Sequence, residues 1–369
     1  MNYQIQAHSS IPAYVQLYRL LAGDIVSGSY HYGSRLPSKR TIAAETGVSV
    51  ITVEHALELL SDEGYVQSRA RSGYYVIYRR ADFHSRENLR QPDHVIENRP
   101  SRVVPETDPG EVFPYSVFAR TIRKVLQDYG ESIMMRSPGQ GSMQLRIEIC
   151  SYLARSHGIQ VKPGQVVIGA GAEYLYSLLP QLLGRERVFA LEEPSYNKIR
   201  KVYESSGVRC EMLPIGQDGI AWEQLKRSKA GALHVTPFHS YPSGVTISIS
   251  KKHEYLQWAA SRNGIIIEDN YDSELTVSKK EEDTLFSLAE GVDVIYINTF
   301  SKTISSSMRV GYLLLPEHLA ETFDKKLGFY SCTVPLLEQY TIAQLLRSGD
   351  FERHINRVRR ARRRNQSGQ

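Results

Sequence analysis

The sequence predicts a multidomain protein: a small N-terminal head of three helices and a two-stranded wing (α+β, mostly α), then a larger α/β domain on a largely parallel sheet. Three observations carry that prediction. Residues 11–78 hold two capped helical stretches joined at a glycine, followed by two alternating strand-like runs. Residues 81–109 are polar and contain Pro92, Pro100, Pro105 and Pro109, with no sustained apolar period. From about residue 110, short β-branched runs alternate with amphipathic segments. The boundaries are therefore 1–80 for the head, 81–109 for a linker and 110–369 for the large domain.

In the head, Tyr14, Leu17, Tyr18, Leu21 and Ile25 recur at helical spacing and give the first helix one apolar face. Ser38 is placed to cap a short helix over Lys39–Glu45. Gly47 makes the turn, and Ser49 caps a second helix whose inner face is Val53, Ala56, Leu57 and Leu60. Gly64 closes that helix. The runs YVQS and GYYVIY then read as a hairpin whose tip, RARSG, carries Arg69, Arg71 and Gly73. This is a helix-turn-helix with a basic wing, whose expected partner is double-stranded DNA. Ser49, Val50, Thr52 and His55 face base edges in that reading, while Arg35, Lys39, Arg40, Arg69 and Arg71 meet phosphates, as backbone-positioning contacts do, and Ser38 and Gly73 complete the DNA-binding set. A helical protein-interaction module with a solvated basic face is the competing reading.

In the large domain VVIGAG (166–171), RVFALEE (187–193), ALHVTP (232–237), GIIIEDN (264–270), DVIYINTF (293–300) and GYLLLP (311–316) read as buried strands. Three places carry chemistry. In NTFSKTISSSMRVGY (298–312), Lys302 follows a buried strand among small hydroxyl residues, with Arg309 shortly after. A lysine against an apolar sheet end can lose its proton and form an imine with an aldehyde, and the hydroxyls and arginine can hold a phosphate. Standing alone, that string reads far more readily as a solvated loop lysine. In GIIIEDNYDSE, Asp269 and Tyr271 end a strand, where an acid can keep a pyridine nitrogen protonated and a tyrosine can bond the ring oxygen; metal coordination or helix capping are the plainer uses of such an acid. In VVIGAGAEYLYSLL, Gly171, Ala172 and Glu173 start a helix after a strand, a seat for phosphate.

The stretches GDIVSGSYHYGSRLPSKRTIAAETGVS, TVEHALELLSDEGYV and SGYYV resemble the GntR-type winged helix. From about residue 110 the order of phosphate turn, EEPSY loop, HSYPSG loop, acid–tyrosine strand and lysine loop resembles fold-type I aminotransferases. Together with FPYSVFARTIRKVL, GQGSMQLR, TPFHSYPSGVTIS, IIEDNYDSE, NTFSKT and RVGYLLLP, the chain resembles the MocR subgroup of GntR regulators, which fuse these two domains. The resemblance implies a mixed, mostly parallel sheet, a homodimer, and pyridoxal 5'-phosphate joined to Lys302. It further implies Asp269 as partner of the pyridine nitrogen, Tyr271 as partner of the ring oxygen, Gly171, Ala172, Thr299, Ser301 and Arg309 as the phosphate cup, and Tyr196 as the aromatic packed on the ring. Lys198 is either a surface lysine or a cation for an effector carboxylate.

The sequence also departs from the family. Val50 and Glu54 stand where arginines are common, Arg136 replaces a tyrosine in RSPGQG, and the proline often found after SKT is absent, leaving Ser305–Ser307. Tyr241 stands where ordinary aminotransferases keep an asparagine and where the subgroup commonly has an aromatic, which favours a regulator over an enzyme. The text ends soon after HINRVRRARRR, so the C-terminal small domain and its carboxylate-binding arginine are expected to be missing. The arginines of 353–364 read as a solvated or interdomain helix face, with DNA phosphates as the alternative.

Composition bounds the rest. Hydrophobic residues make up 41% and charged residues 23%, the net charge is +5, and no apolar run approaches the roughly 18 residues that span a bilayer. Cys150, Cys210 and Cys332 are far apart and in no paired pattern, which disfavours a disulfide framework or structural zinc and fits a reducing cytoplasm. The expected function is a transcription factor that senses an amine or amino acid through its aminotransferase-like domain. An aminotransferase with an appended head, or a DNA-binding dimer on an inert scaffold, are the alternatives.

Overall fold

A computed structural model describes residues 3, 5–6, 11–70, 72–79, 112–275 and 283–367, with side chains through 364. The expected linker and Arg71 lie outside the described residues. The chain divides into two compact units, Met1–Arg102 and Val103–Gln369.

The head contains α1 (Ala13–Ser27), α2 (Lys39–Thr46), α3 (Val50–Asp62), β1 (Val66–Arg69) and β2 (Gly73–Val76). Both expected caps form: the Ser38 hydroxyl accepts from the Thr41 amide at 3.2 Å, and Ser49 from the Thr52 amide at 3.1 Å. Such caps contribute about 1 kcal/mol each. Gly47 ends α2 at φ 71°, a left-handed conformation that side chains resist, and so allows the tight turn into α3. Leu17, Leu21 and Ile25 of α1 bury with Val53, Ala56, Leu57 and Leu60 of α3 in a single core that includes Ile42 and Val76. Full burial of such side chains contributes about 1.5–3 kcal/mol each. The wing is antiparallel, with Val66 opposite Val76 and Arg69 opposite Gly73.

The second unit begins with α4 (Tyr115–Tyr129) and α5 (Met143–His157). There follow β3 (Val166–Gly169), α6 (Ala172–Leu183), β4 (Phe189–Glu193), α7 (Asn197–Ser205), β5 (Cys210–Gly216), β6 (Gly219–Ile220) and α8 (Trp222–Arg227). Then come β7 (Ala232–Val235), α9 (Ile249–Ala260), β8 (Ile265–Asp269), α10 (Leu285–Leu288), β9 (Asp293–Thr299) and β10 (Gly311–Leu314). Three helices close the unit: α11 (Glu317–Leu327), α12 (Leu336–Arg347) and α13 (Asp350–Ser367).

All six expected strands lie in one eight-stranded sheet of order β3-β10-β9-β8-β7-β4-β5-β6. Pairs from β9 through β5 are parallel, whereas β10 is antiparallel to both β3 and β9 and β6 is antiparallel to β5. The sheet is therefore mixed and mostly parallel. Successive side chains of β9 go to opposite faces: Ile295 and Ile297 pack with α6, α7 and α11, while Tyr296 packs with α5 and α12. Covered on both faces, the central strands are buried along their length. The sequence reading missed β5 and β6 because they form the sheet edge, where β5 is only partly buried and lacks a continuous apolar run.

This topology sets the site. The carboxyl ends of β7, β8 and β9 share an edge, the glycine turn after β3 joins them, and the reversed β10 starts there. Ligands of open α/β sheets collect outside such an edge.

Candidate functional site

In the head, each described residue assigned to DNA stands on α2, α3, the turns before them, or the wing. Arg35, Ser38, Arg40, Ser49, His55 and Arg69 are exposed, while Lys39, Thr52 and Gly73 are partly covered. The serines have their hydroxyls committed to capping, and that of Ser49 also lies 2.9 Å from the Thr52 hydroxyl. Lys39 pairs with Glu54 of α3 and lies 5.8 Å from the centre of the Tyr74 ring. This pair is the physical consequence of an acid on the recognition helix. Arg69 stacks over Tyr75 at 4.3 Å. The Arg35 side chain lies along the wing, so that a β-carbon added at Gly73 would meet its Nε at 3.2 Å. His55 meets Tyr14 edge-on at 6.0 Å between ring centres. Sequence reasoning, which named Val50 among the base-facing residues, overlooked its neighbour Ile51, 66% exposed at the start of α3.

In the second unit, eight of the nine residues assigned to a cofactor line one cavity of about 370 Å³: Ala172, Tyr196, Asp269, Tyr271, Thr299, Ser301, Lys302 and Arg309. Gly171 adjoins it, since a β-carbon there would sit 3.1 Å from the Arg309 guanidinium. Side chains from the five connections that follow β3, β4, β7, β8 and β9 converge because all five leave the same end of the sheet.

The floor is a buried polar chain. Asp269 is 1% exposed; its Oδ2 accepts from the Tyr176 hydroxyl and lies 3.6 Å from His234 Nε2. The other face of that imidazole is satisfied by Tyr203, whose oxygen lies 2.7 Å from His234 Nδ1. An acid facing Nε2 favours the tautomer with its proton there, with Tyr203 donating to Nδ1. Burial pushes both the Tyr176 and Tyr203 phenols well above their ordinary range, so they stay protonated donors. The second oxygen of Asp269, Oδ1, is buried without a hydrogen-bond partner. A bare carboxylate oxygen at a cavity floor is costly unless a ligand donor meets it.

Above the floor, the Tyr271 hydroxyl donates to the His239 carbonyl at 3.0 Å, and burial followed by the charges of Asp272 and Asp269 pushes its phenol up to about 12. Lys302 lies 4.3 Å over the Tyr271 ring and 3.6 Å from Asp272. At the other end Arg309 pairs with Glu173, whose second oxygen takes Lys198 at 2.8 Å. The Lys198 hydrogen bond, joined by Arg309, holds the Glu173 carboxyl below its usual range. Lys198 is thus committed to Glu173 rather than displayed to a carboxylate guest. Tyr196 and Tyr241 meet edge-on at 6.2 Å at the mouth. Arg136 donates to Ser331 and does not line the cavity. Sequence reasoning assigned no role to Tyr176, which reads as an ordinary apolar helix position, or to Thr236. Among the described residues no group of His, Cys, Asp or Glu is arranged to hold a metal, and no helix is long and apolar enough to cross a membrane.

Comparison with known proteins agrees with both halves. Residues 13–76 match the bacterial regulatory proteins of the gntR family, and residues 113–367 match aminotransferase class I and II. The HTH-type transcriptional regulator YdeL of Bacillus subtilis is 32% identical over 363 residues, covering 95% of this chain and 76% of that protein. The probable rhizopine catabolism regulatory protein MocR of Rhizobium meliloti is 28% identical, covering 95% and 75%. The pyridoxine biosynthesis regulator PdxR of Corynebacterium glutamicum is 29% identical, covering 95% and 76%. Among solved structures, LysN, the α-aminoadipate aminotransferase of Thermus thermophilus, superposes with a TM-score of 0.59 at 27% identity, covering 67% of this chain and 64% of that one. An archaeal alanine:glyoxylate aminotransferase gives 0.61 at 25%, covering 67% and 63%. The chain thus spans about two thirds of the length of these aminotransferases. It belongs to the HTH-type transcriptional regulators of the MocR kind, in which a GntR winged helix-turn-helix is joined to an aminotransferase class I and II domain.

Proposed function

We propose that this regulator holds pyridoxal 5'-phosphate on Lys302 and that an amine or amino acid entering the same cavity is its signal. The observation that carries the proposal is convergence. Residues spread from 171 to 309 meet at one cavity, and its floor presents a buried carboxylate oxygen with no partner. When bound, the cofactor supplies an aldehyde that condenses with amines and a ring that withdraws electrons. Asp269 would hold the ring nitrogen through Oδ1, with Tyr176 bonded to its other oxygen and His234 facing that oxygen at 3.6 Å. Tyr271, protonated at neutral pH, would offer its hydroxyl to the ring oxygen. Ala172 at the start of α6, together with Gly171, Thr299, Ser301 and Arg309, would hold the phosphate, as helix N-termini and guanidinium groups do. Tyr196 would pack on the ring. LysN, a 27%-identical aminotransferase, is known in complex with N-(5'-phosphopyridoxyl)-L-leucine, which supports this class of ligand for the shared fold.

The amine would compete with Lys302 for the aldehyde, and the resulting change in the cavity would bias the DNA-binding heads by differential affinity for two states. We place the protein in the cytoplasm as a homodimer whose two heads suit paired half-sites. On the DNA, Arg35, Arg40, Arg69 and Arg71 would meet phosphates, while Thr52, His55 and the exposed Val50 and Ile51 would face base edges.

The test is an absorbance spectrum of the purified protein with added pyridoxal 5'-phosphate, beside Lys302→Ala. An imine band at roughly 400–430 nm in the wild type and absent from the variant is the expected result. Absence of the band from both proteins would leave a winged-helix DNA binder on an inert scaffold. Steady transamination with several amino donors would instead favour an enzyme.

A further inference from the structure

The phosphate end of the cavity contains an acid, which a phosphate seat does not need. Glu173 stands in the first turn of α6, beside the amides that would receive the phosphate, and lines the cavity with Arg309. One of its oxygens accepts from the Arg309 guanidinium, the same group assigned to the phosphate. Its other oxygen accepts from Lys198, a side chain of α7 that is 58% exposed and does not line the cavity. The carboxylate is therefore held between an inner cation and an outer one.

We infer that Glu173 competes with the cofactor's phosphate for Arg309, and that Lys198 receives the carboxylate when the phosphate takes its place. The inference rests on the cofactor reading above. A phosphate near neutral pH carries close to two negative charges, and a carboxylate sharing its guanidinium repels it. The repulsion falls if the carboxylate is retained by a second cation farther out. Lys198 is such a cation, already bonded to the oxygen that Arg309 does not hold. Glu173 thus lowers the affinity for phosphorylated cofactor, and Lys198 limits the loss. Neither residue has that effect on a pyridoxal lacking the phosphate.

The full chain and its variants are titrated with pyridoxal 5'-phosphate and, separately, with pyridoxal, following the imine absorbance and the thermal midpoint. Glu173→Gln keeps the shape and removes the charge; it is expected to bind pyridoxal 5'-phosphate about tenfold tighter and to leave pyridoxal within about twofold. Lys198→Ala is expected to weaken the phosphorylated ligand severalfold in the wild-type background and to change nothing in the Glu173→Gln background, because its role is to hold the carboxylate. Unchanged or weaker binding by Glu173→Gln would overturn the inference, since Glu173 would then merely orient Arg309. Equal tightening of both ligands would overturn it too, as would an equal effect of Lys198→Ala in both backgrounds. A wild type that takes up neither ligand overturns the cofactor reading and this inference with it. A wild type that binds while the variants fail these expectations overturns the inference alone.

Discussion

Glu192 ends the buried part of β4 and is 2% exposed. Its Oε2 accepts from the Ser240 hydroxyl at 2.9 Å and the Thr236 amide at 3.2 Å, while Oε1 is buried without a partner. Burial is the main reason that its carboxyl is pushed up from 4.5 to about 7, and the nearby Asp269 adds to it. In the unfolded chain the group ionises near its ordinary value, so between these two values the folded protein holds a proton that the unfolded chain has lost. Stability then falls as pH rises through this interval, the reverse of a salt-bridged acid. The displacement corresponds to about 3 kcal/mol once both states are ionised. Glu192→Gln mimics the protonated acid: its oxygen accepts from Ser240 and Thr236, and it has no charge to desolvate. The variant's advantage over the wild type should grow from under about 1 kcal/mol at pH 5 to about 3 kcal/mol at pH 8. Urea unfolding followed by tryptophan fluorescence measures it, because both tryptophans, Trp222 and Trp258, lie in the large unit. A gap that stays constant between pH 5 and pH 8 would refute the argument and place an ionised Glu192 in the folded state.

Two further outcomes are expected. Glu54→Ala releases Lys39 from its pair on the recognition helix, so DNA affinity should rise severalfold and the log–log salt dependence should steepen by about one, measured by fluorescence anisotropy across salt concentrations. Gln339 is fully buried, accepts from the Ser142 amide at 2.6 Å and donates to Ser137 at 2.8 Å and to the Val334 carbonyl at 2.7 Å. Gln339→Ala strands three groups and should cost about 3 kcal/mol in the same urea assay.

What the sequence disclosed follows from where each signal is stored. Strands such as Ile265–Asp269 are covered on both faces, and an unbroken apolar run records that directly. Capping serines and the Gly47 turn are local, so they too are readable from neighbours in the chain. That Lys302, Asp269 and Arg309 share one cavity was legible through the order of their motifs. The strands β5 and β6 at the sheet's edge were not, because β5 is half-exposed and leaves no continuous run and β6 is only two residues long. Pairings between distant positions were hidden for another reason. That Glu54 takes up Lys39, or Glu173 takes up Arg309 across 136 positions, depends on side chains brought together by the fold. The same holds for Tyr176, whose helix reads as plain core until its hydroxyl is seen on Asp269.

The loop between β9 and β10 has one more consequence. Its ends are tied by the Phe300 amide to the Val310 carbonyl at 2.8 Å, its middle by the Ser301 hydroxyl to the Met308 carbonyl at 3.1 Å, and Phe300, Thr303, Ile304, Met308 and Val310 are buried. Lys302 and Arg309 thus ride on a cassette pinned by its own hydrogen bonds and buried side chains. Such a cassette cannot announce a visitor by folding around it. In the function proposed above, a guest's arrival would be registered at the cavity's lip, where Tyr196 and Tyr241 stand 40% and 60% exposed.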